Sequence, residues 1–343
     1  MKSLGKFPKA ISKTFDTSKY YHDVRMPVAE QSKYTGMFGV EIEVEGNALP
    51  RAIGTRVGSV SWVTHDEGSL RAPNGVDRGG AEYVFSQPCD LEESREMLTK
   101  LFEEIQTQGG EIVNSYRTST HVHINMRDFK LNNLASFVVL WGMFEDVLAE
   151  YSGEGRAGNL FALRLSDSDF AVTAWIDAFK SGDFAFNRDY RYLALNGACL
   201  GTFGSLEVRT FRGISSVDEV MPWLEALKRL REVADEYADP FSIATDFSAY
   251  GARGMIERLF AGLPILSDLL AIEDANPSTS AGFRRVQPII YCLPWQDVLP
   301  EIAKVYVPNP FDTGPKKKPA AARRTAEMRF NPAPAMPVPE GLR

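Results

Sequence analysis

Three glutamates alternate with aliphatic residues early in the chain. Glu41, Glu43 and Glu45 are separated by Ile42 and Val44. Because a strand points alternate side chains to opposite faces, this spacing places the carboxylates on one face, with neighbours about 6.6 Å apart. In a sheltered position such a row repels itself, so a cation should lie over it. Divalent ions held by oxygen ligands and Lys or Arg from a facing strand are the two candidates, unless the acidic face is simply exposed to water.

Two histidines lie at strand spacing in a later segment. His121 and His123 occur within one predicted strand and share a face with Asn125. Such a pair is either a metal-binding edge or two hydrogen-bonded core groups, and the accompanying acid row favours at least one histidine as a ligand. A further acid, Glu82, lies on the short predicted strand 81–85.

An acid and an arginine share a face of another strand, predicted at 205–213. Glu207 and Arg209 are two residues apart, which suits a metal-bound phosphate, since the carboxylate can hold the ion while the guanidinium binds phosphate oxygens in a fork. A salt bridge between the two side chains is the alternative. Arg156 and Arg164, in a Gly-rich segment, could also reach a ligand, although loop arginines are commonly solvated.

Other local patterns predict the elements that hold these strands. Segment 57–63 is predicted as a strand, and segment 188–196 leads into another. Asp90 and Glu93 have the spacing of a capping box at the start of a helix. Apolar residues at spacings of three and four predict the longest helix over Leu131–Tyr151, which should cover one face of the sheet.

The composition is that of an ordinary globular protein. With 343 residues, 44% of them hydrophobic and 24% charged, the chain can form one large domain or two ordinary ones. It contains no apolar run typical of a transmembrane helix or a signal peptide, which predicts a cytoplasmic protein without membrane contact. The three cysteines, Cys89, Cys199 and Cys292, have no paired spacing, so buried reduced thiols are expected rather than a disulfide framework or a zinc site.

Charge and proline content divide the chain into three parts. We predict an N-terminal arm at 1–33, a catalytic domain at 34–307 and a Pro-rich basic tail at 308–343 that is disordered or extended. The tail holds eight of the 20 prolines and seven Lys and Arg against three Asp and Glu; its net charge of +4, within a total of −7, leaves −11 for residues 1–307. The acidic body argues against broad nucleic-acid binding, whereas the tail could contact an acidic partner.

Six short motifs follow one another between residues 38 and 213. They are Gly-x-Glu-x-Glu at 39–43, Gly-Ser-Leu at 68–70, Gly-Ala-Glu at 80–82, His-x-His at 121–123, Arg-Tyr-x-x-Leu-Asn at 191–196 and Leu-Glu-x-Arg-x-Phe at 206–211. In this order they resemble the amidoligase family, which is similar to the ATP-dependent ligases glutamine synthetase and glutamate-cysteine ligase. Each motif alone is loose, while their order is fairly specific.

The resemblance implies an α+β fold, in which a curved, mainly antiparallel sheet forms a funnel-like active site and is covered by helices on its other face. It also implies ATP and Mg²⁺ or Mn²⁺ as cofactors. Arg209 matches the phosphate-binding arginine, and Arg191, Asn196 and Ser69 are further expected contacts to nucleotide or substrate. The implied metal ligands are Glu41, Glu43, Glu82, Glu207 and His121 or His123.

Three features depart from the family pattern. Glu67 stands where members commonly carry Asp in Asp-Gly-Ser-Leu, with Asp66 one place early. Glu45 is an additional acid without an assigned role. Only Glu82 matches where glutamine synthetase supplies two acids to its ions, so the number of metal ions stays open.

Amide-bond formation in water requires an activated carboxylate. Attack on the γ-phosphate of ATP makes an acyl phosphate, and that transfer needs Mg²⁺ on the phosphate oxygens and cations that offset the developing charge. The acid-rich strands and Arg209 supply these parts, whereas a P-loop is excluded because no Gly-x-x-x-x-Gly-Lys occurs. We therefore predict an ATP-dependent ligase that joins small-molecule or peptide carboxylates to amines, forming an amide or peptide bond.

Two other functions fit the same residues. The first is a two-metal hydrolase, in which the ions activate water. The second is a non-catalytic binding or assembly protein on a degenerate ligase fold, with the acid row exposed to solvent and the basic tail as the working part. Related ligases can build sites between subunits, so a ligase of this kind could be a homo-oligomer.

Overall fold

The fold was analysed in a computed structural model. It describes residues 34–70, 79–181, 184, 186 and 188–295. The predicted arm at 1–33 and the predicted tail at 308–343 lie outside the described residues, as does the end of the predicted catalytic domain at 296–307.

The described strands form one antiparallel sheet in which the strand of the acid row is central. The strands are β1 Phe38–Asn47, β2 Arg56–Val57, β3 Val60–His65, β4 Gly80–Phe85, β5 Glu111–Ile112, β6 Ser119–Asn125, β7 Leu195–Asn196 and β8 Ser205–Arg212. The main path of the sheet has the order β2-β3-β4-β1-β6-β8-β7, and β5 pairs with the end of β1 beside this path. Among the described strands, β2 and β7 are the two edges, so the sheet is open.

The helices account for the opposite character of the two faces of β1. Val40, Ile42 and Val44 are completely buried in the hydrophobic core, on the face opposite the acid row. The described helices are α1 Leu91–Thr107, α2 Leu131–Tyr151, α3 Asp169–Ser181, α4 Cys199–Phe203, α5 Val217–Glu236, α6 Pro240–Leu259, α7 Ile265–Ala271 and α8 Ala275–Ile290. None of these described helices combines the length and the apolar character needed to cross a membrane. The prediction of an α+β fold with an antiparallel sheet is confirmed.

Helix α2 lies at the centre of the helical side and has the predicted bounds. It is buried around nearly its whole circumference, because α5 and α8 pack against it as well as β8. An aromatic stack joins three of these elements: the ring of Trp223 on α5 lies 6.2 Å from Tyr151 on α2 and 5.0 Å from Phe211 on β8. Such stacks add to the free energy of burying apolar area.

One local prediction is wrong, and two are confirmed. Segment 57–63 is not one strand, because Gly58 has φ of 56° and turns β2 back into β3. Segment 188–196 leads into a strand as predicted, although a 3₁₀ turn at Arg188–Tyr192 comes first and β7 is only two residues long. The capping box is present: the Asp90 side chain accepts from the Glu93 backbone N–H, and the Glu93 side chain accepts in return.

Replacement of Gly282 by Ala should destabilise the fold, because α8 approaches α2 most closely at this residue. A Cβ here would lie 2.4 Å from the Met143 carbonyl oxygen and 2.7 Å from that of Gly142. Since both obstacles are backbone atoms, we expect Gly282→Ala to lower the free energy of unfolding by about 1–3 kcal/mol in urea denaturation. Gly68→Ala is the matched control, because its Cβ would meet nothing within 4 Å. Equal denaturation midpoints for the two variants would contradict the close approach.

Candidate functional site

The register of the sheet brings the predicted site residues of four strands onto one face. Glu41 on β1 lies opposite His121 on β6, and Glu43 lies opposite Glu82 on β4. His123 on β6 lies opposite Glu207 on β8. Directly opposed residues in antiparallel strands have side chains on the same face, within reach of each other. We call the sheet face that carries Glu41, Glu43, Glu45, Glu82 and Glu207 the acid face.

The acid face is sheltered from solvent. Glu43, Glu45 and Glu207 are only 9%, 3% and 4% exposed. The interpretation of the acid row as a solvated face is therefore wrong, and each buried carboxylate needs a compensating partner or a proton.

Glu41 is compensated by both histidines. Its Oε2 lies 3.4 Å from Nδ1 of His121, and its Oε1 lies 3.1 Å from Nε2 of His123. Burial would raise the pKa of Glu41, but the positive potential and hydrogen bonds of the two rings outweigh it and hold that pKa well below its ordinary value. Burial likewise opposes charge on His123, yet the neighbouring Glu41 and Glu207 raise the pKa of its ring.

The two oxygens of Glu207 have different surroundings. Oε1 forms a short ion pair with the Arg209 guanidinium and lies 3.6 Å from Nδ1 of His121. Oε2 accepts from Nδ2 of Asn196 at 2.6 Å and from Sγ of Cys199 at 3.2 Å. Although burial opposes its charge, Arg209 and the histidines lower the pKa of Glu207. The salt bridge considered from the sequence is thus present, and it lies inside the site.

Among the residues that the structure describes, two groups of side chains bring possible metal-ligand atoms, one from each residue, within 4.8 Å of one another. The first consists of Glu41, His121 and Glu207, and the second of His123, Cys199 and Glu207. Two carboxylates with one imidazole suit a hard or borderline divalent ion such as Mg²⁺ or Mn²⁺. The second group adds a sulfur ligand, which favours softer ions.

Glu82 belongs to the acid face but to neither of these groups. It lies opposite Glu43 on one side and His65 on the other. Burial, followed by repulsion from Glu41, Glu43 and Glu67, raises the pKa of Glu82 to about 9, and Arg209 offsets this only in part. The carboxyl is therefore protonated at neutral pH in the protein without bound cations.

Ser119 connects the ring of His121 with Glu43. Ser119 donates a short hydrogen bond from its hydroxyl to Oε2 of Glu43, and its Oγ lies 2.8 Å from Nε2 of His121. Glu43 and His121 are therefore linked across β1 and β6, and Glu43 stands one contact away from the first metal-ligand group.

A β-bulge on β8 includes Arg209. Val122 pairs with Val208 while Thr120 pairs with Phe211, so Arg209 and the next residue, 210, both lie opposite the single residue His121. The bulge changes the parity of the strand, because the completely buried apolar residues are Leu206, Val208 and then Phe211. The apolar residues Leu206, Val208 and Phe211 show this change from a spacing of two to a spacing of three in the sequence itself.

Arg156 fastens the bulge. Its Nε donates to the Thr210 carbonyl at 2.7 Å and its Nη2 to the Arg209 carbonyl at 2.8 Å. The side chain is only 4% exposed. Arg164 is similarly engaged, with Asp167 and Asp146. These donors are taken by the protein itself, while Arg156 also lines a cavity near the end of β8, so a ligand contact of either arginine stays a prediction.

Arg191 is exposed and is connected to Glu207 through three intermediate residues. Its guanidinium stacks 4.5 Å above the ring of Tyr192, and that ring packs against Phe161. The Phe161 carbonyl accepts from Nε of Arg209 at 3.1 Å. Arg191 is therefore separated from the acid face by these residues, whereas Arg209 contacts Glu207 directly.

The other two predicted nucleotide contacts differ in their placement. Asn196 binds Glu207 directly and accepts from the Ala198 backbone N–H at 2.9 Å. Ser69 lies in a turn after β3, where its backbone N–H donates to Glu67 at 3.0 Å. Glu67 in turn acts electrostatically on Glu82, so Ser69 is connected to the acid face through one neighbouring acid.

Sequence reasoning missed His65 and Cys199. The structure reveals both residues. His65 ends β3 opposite Glu82, which depends on strand register. Cys199 lies beside Glu207 because the chain turns from β7 into α4. The available signal for Cys199 was its position three residues after Asn196. All three cysteines are buried and free, as predicted.

A cavity of about 490 Å³ opens near the end of β8, and its volume is sufficient for a small metabolite. Tyr116, Glu154 and Arg212 are among its lining residues, together with Thr118. Thr118 immediately precedes Ser119, whose hydroxyl contacts Glu43. The cavity therefore lies beside the start of β6.

Comparison with known proteins adds no independent assignment: no family model matches the chain, and a search of the curated proteins finds no relative.

Arg156 and its hydrogen bonds to the Thr210 and Arg209 carbonyls, here called the Arg156 clamp, should stabilise the protein. Arg156→Met keeps the size of the side chain but leaves the buried carbonyls of Thr210 and Arg209 without their donors. We expect the free energy of unfolding in urea to fall by about 2–5 kcal/mol. Arg253→Met removes an exposed arginine with a single helix ion pair, so it should change stability by less than about 0.5 kcal/mol. A small effect of both variants would show that the clamp is dispensable.

The proton on Glu82 should appear in the pH dependence of stability. Between the ordinary pKa of 4.5 and the folded-state value of about 9, the unfolded chain has lost this proton and the folded chain retains it. Stability therefore falls as pH rises through this window, with a contribution of up to about 1.4 kcal/mol per pH unit. We expect Glu82→Gln to remove this part of the slope in urea denaturation with chelator present. The exposed Glu103→Gln should keep it, and parallel slopes for wild type and Glu82→Gln would refute the protonated state.

Proposed function

We propose that this protein is an ATP-dependent carboxylate-amine ligase that binds divalent ions on its acid face. The observation that carries the proposal is the buried group of Glu41, His121 and Glu207, with the Arg209 guanidinium on the same oxygen of Glu207. This combination puts ligands for a divalent cation beside a donor suited to phosphate oxygens.

The charge balance of the acid face supports a bound cation. Five carboxyl groups lie on it, and Glu82 retains a proton at neutral pH because its neighbours repel a further negative charge. A divalent ion held by Glu41, His121 and Glu207 would relieve this repulsion. In the ligase reaction such an ion would neutralise charge on the phosphate oxygens of ATP.

Arg209 is fitted to hold a phosphate during transfer. Burial opposes its charge, but Glu207, Glu41 and Glu43 raise the pKa of its guanidinium, so it stays a cation. One of its nitrogens is anchored to the Phe161 carbonyl and another to Glu207, which limits its freedom before a ligand arrives. Phosphoryl transfer depends mainly on such positioning and on electrostatic stabilisation, with little covalent work by the protein.

The substrates in this proposal are a carboxylate and an amine. The carboxylate oxygen would attack the γ-phosphorus of ATP, releasing ADP and forming an acyl phosphate, and the amine nitrogen would then attack the acyl carbon and release phosphate. The cavity beside β6 carries an acidic and a basic side chain, Glu154 and Arg212, whose charges would suit a substrate with both an amino and a carboxylate group. The proposal includes the glutamine synthetase-like curvature of the sheet that the motif resemblance implies.

The alternatives are less well supported by the site. A two-metal hydrolase acting on neutral substrates has no need of a buried guanidinium on the metal-binding carboxylate. A non-catalytic protein with a solvated acid row does not agree with the burial of Glu43, Glu45 and Glu207.

Ligand-dependent thermal unfolding tests the proposal without knowledge of the substrate. Mg²⁺ with a non-hydrolysable ATP analogue at 100 times its dissociation constant should stabilise the wild type by about 2.7 kcal/mol, a rise of a few degrees in Tm. Glu41→Gln should lose this rise because it removes a ligand charge. The matched control Glu103→Gln, on an exposed position of α1, should keep it.

The ligase step is then tested by ADP release with a panel of carboxylates and amines. ADP formation that requires both substrates would support the ligase. Normal Mg-ATP binding without ADP release for any pair would instead indicate a kinase acting on a small acceptor. If magnesium alone changes Tm and the nucleotide analogue adds no further rise, the nucleotide site is refuted and metal-dependent hydrolysis becomes the function to assay.

A further inference from the structure

The second oxygen of Glu207 faces a thiol that no part of the proposed ligase chemistry uses. Cys199 donates from Sγ to Oε2 of Glu207 at 3.2 Å, and a ring nitrogen of His123 lies within 4.8 Å of both ligand atoms. All three residues are buried. Ligand atoms around a tetrahedral zinc ion are roughly 3.5 Å apart, given bonds of about 2.0–2.3 Å, so a modest contraction would bring these atoms to an ion.

The surroundings of the three side chains are those of a supported metal site. Asn196 donates to Oε2 of Glu207 at 2.6 Å and to Sγ of Cys199 at 3.4 Å. The ring of His123 contacts the Ser205 hydroxyl through Nδ1 and Oε1 of Glu41 through Nε2, both at 3.1 Å, so an ion bound by one nitrogen leaves the contact of the other in place. Hydrogen bonds of this kind orient metal ligands and adjust their basicity.

An aromatic ring covers the same place. The edge-on ring of Phe203 lies 5.4 Å from the ring of His123, and Phe203 ends α4, the short helix that Cys199 begins. The helix thus brings the sulfur to Glu207 and an apolar ring to His123.

We propose that His123, Cys199 and Glu207 form a binding site for a thiophilic divalent ion of the zinc class. This site shares only Glu207 with the oxygen-rich group of Glu41, His121 and Glu207, and it uses the opposite carboxylate oxygen. The sulfur selects against Mg²⁺, which prefers oxygen ligands. Three protein ligands leave a fourth position of a tetrahedral ion for water or a substrate atom.

Ion binding changes the protonation of Cys199 in a defined way. The thiol releases its proton to solvent, the sulfur lone pair forms the bond to the ion, and the S–H donor to Glu207 is lost. Asn196 still donates to both sulfur and oxygen, so the thiolate and the carboxylate each keep a hydrogen bond from the protein.

Cobalt substitution tests the site with a readout independent of catalysis. Co²⁺ bound by a thiolate gives a sulfur-to-metal charge-transfer band in the near ultraviolet. We expect this band when Co²⁺ is added to the reduced full-length protein, its removal by Zn²⁺, and no effect of Mg²⁺ at equal concentration. Absence of the band in the wild type under saturating Co²⁺ would overturn the proposal without any variant being needed.

Cysteine variants identify the sulfur. Cys199→Ser should abolish the band, whereas Cys89→Ser and Cys292→Ser remove other buried thiols and should retain it. Asn196→Ala should retain the band but weaken Co²⁺ binding by about 10- to 100-fold, as for other residues that support metal ligands. A band that survives Cys199→Ser would place the ion elsewhere. Because the measurement requires neither ATP nor a substrate, its outcome is separate from that of the proposed ligase function.

Discussion

Repulsion between carboxylates held on one face of a central strand is the constraint on which the site depends. Strand β1 pairs on both sides, with β4 and β6, so its glutamates cannot turn outward without breaking the core packing of Val40, Ile42 and Val44. Side chains on the neighbouring strands compensate this negative charge. Two histidines come from β6 and an arginine from β8, while Glu82 on β4 keeps its proton.

The predictable part of the fold follows from patterns within single elements. Strand alternation identified the acid face, and helical periodicity identified the bounds of α2. The pairing of strands could not be predicted in this way. Glu41 lies opposite His121 and His123 lies opposite Glu207 because of the strand order and register. Local patterns do not contain that information, and for this chain the motif order supplied the expectation that these residues meet.

The features that escaped prediction arise where the backbone departs from regular geometry. The bulge at Arg209 changes the alternation of buried and site-facing residues along β8. The 3₁₀ turn contains the exposed Arg191. The chain reversal into α4 brings Cys199 to the carboxylate of Glu207. The shared face of Glu207 and Arg209 was predicted, whereas the bulge, the 3₁₀ turn and the approach of Cys199 to Glu207 were not. Side-chain direction in a bulge or turn depends on tertiary contacts, here including the Arg156 hydrogen bonds to two carbonyls of β8.

The backbone ladder that carries the acid face has a consequence for ligand binding. Most of the charged groups sit on strands whose neighbours are hydrogen-bonded along their length, and Arg209 is additionally held through its own carbonyl by Arg156. Mutual repulsion is therefore overcome when the chain folds, and little rearrangement is required when an ion or phosphate arrives. The site is preorganised: the free energy stored in its crowded carboxylates becomes available to whichever cation first neutralises them.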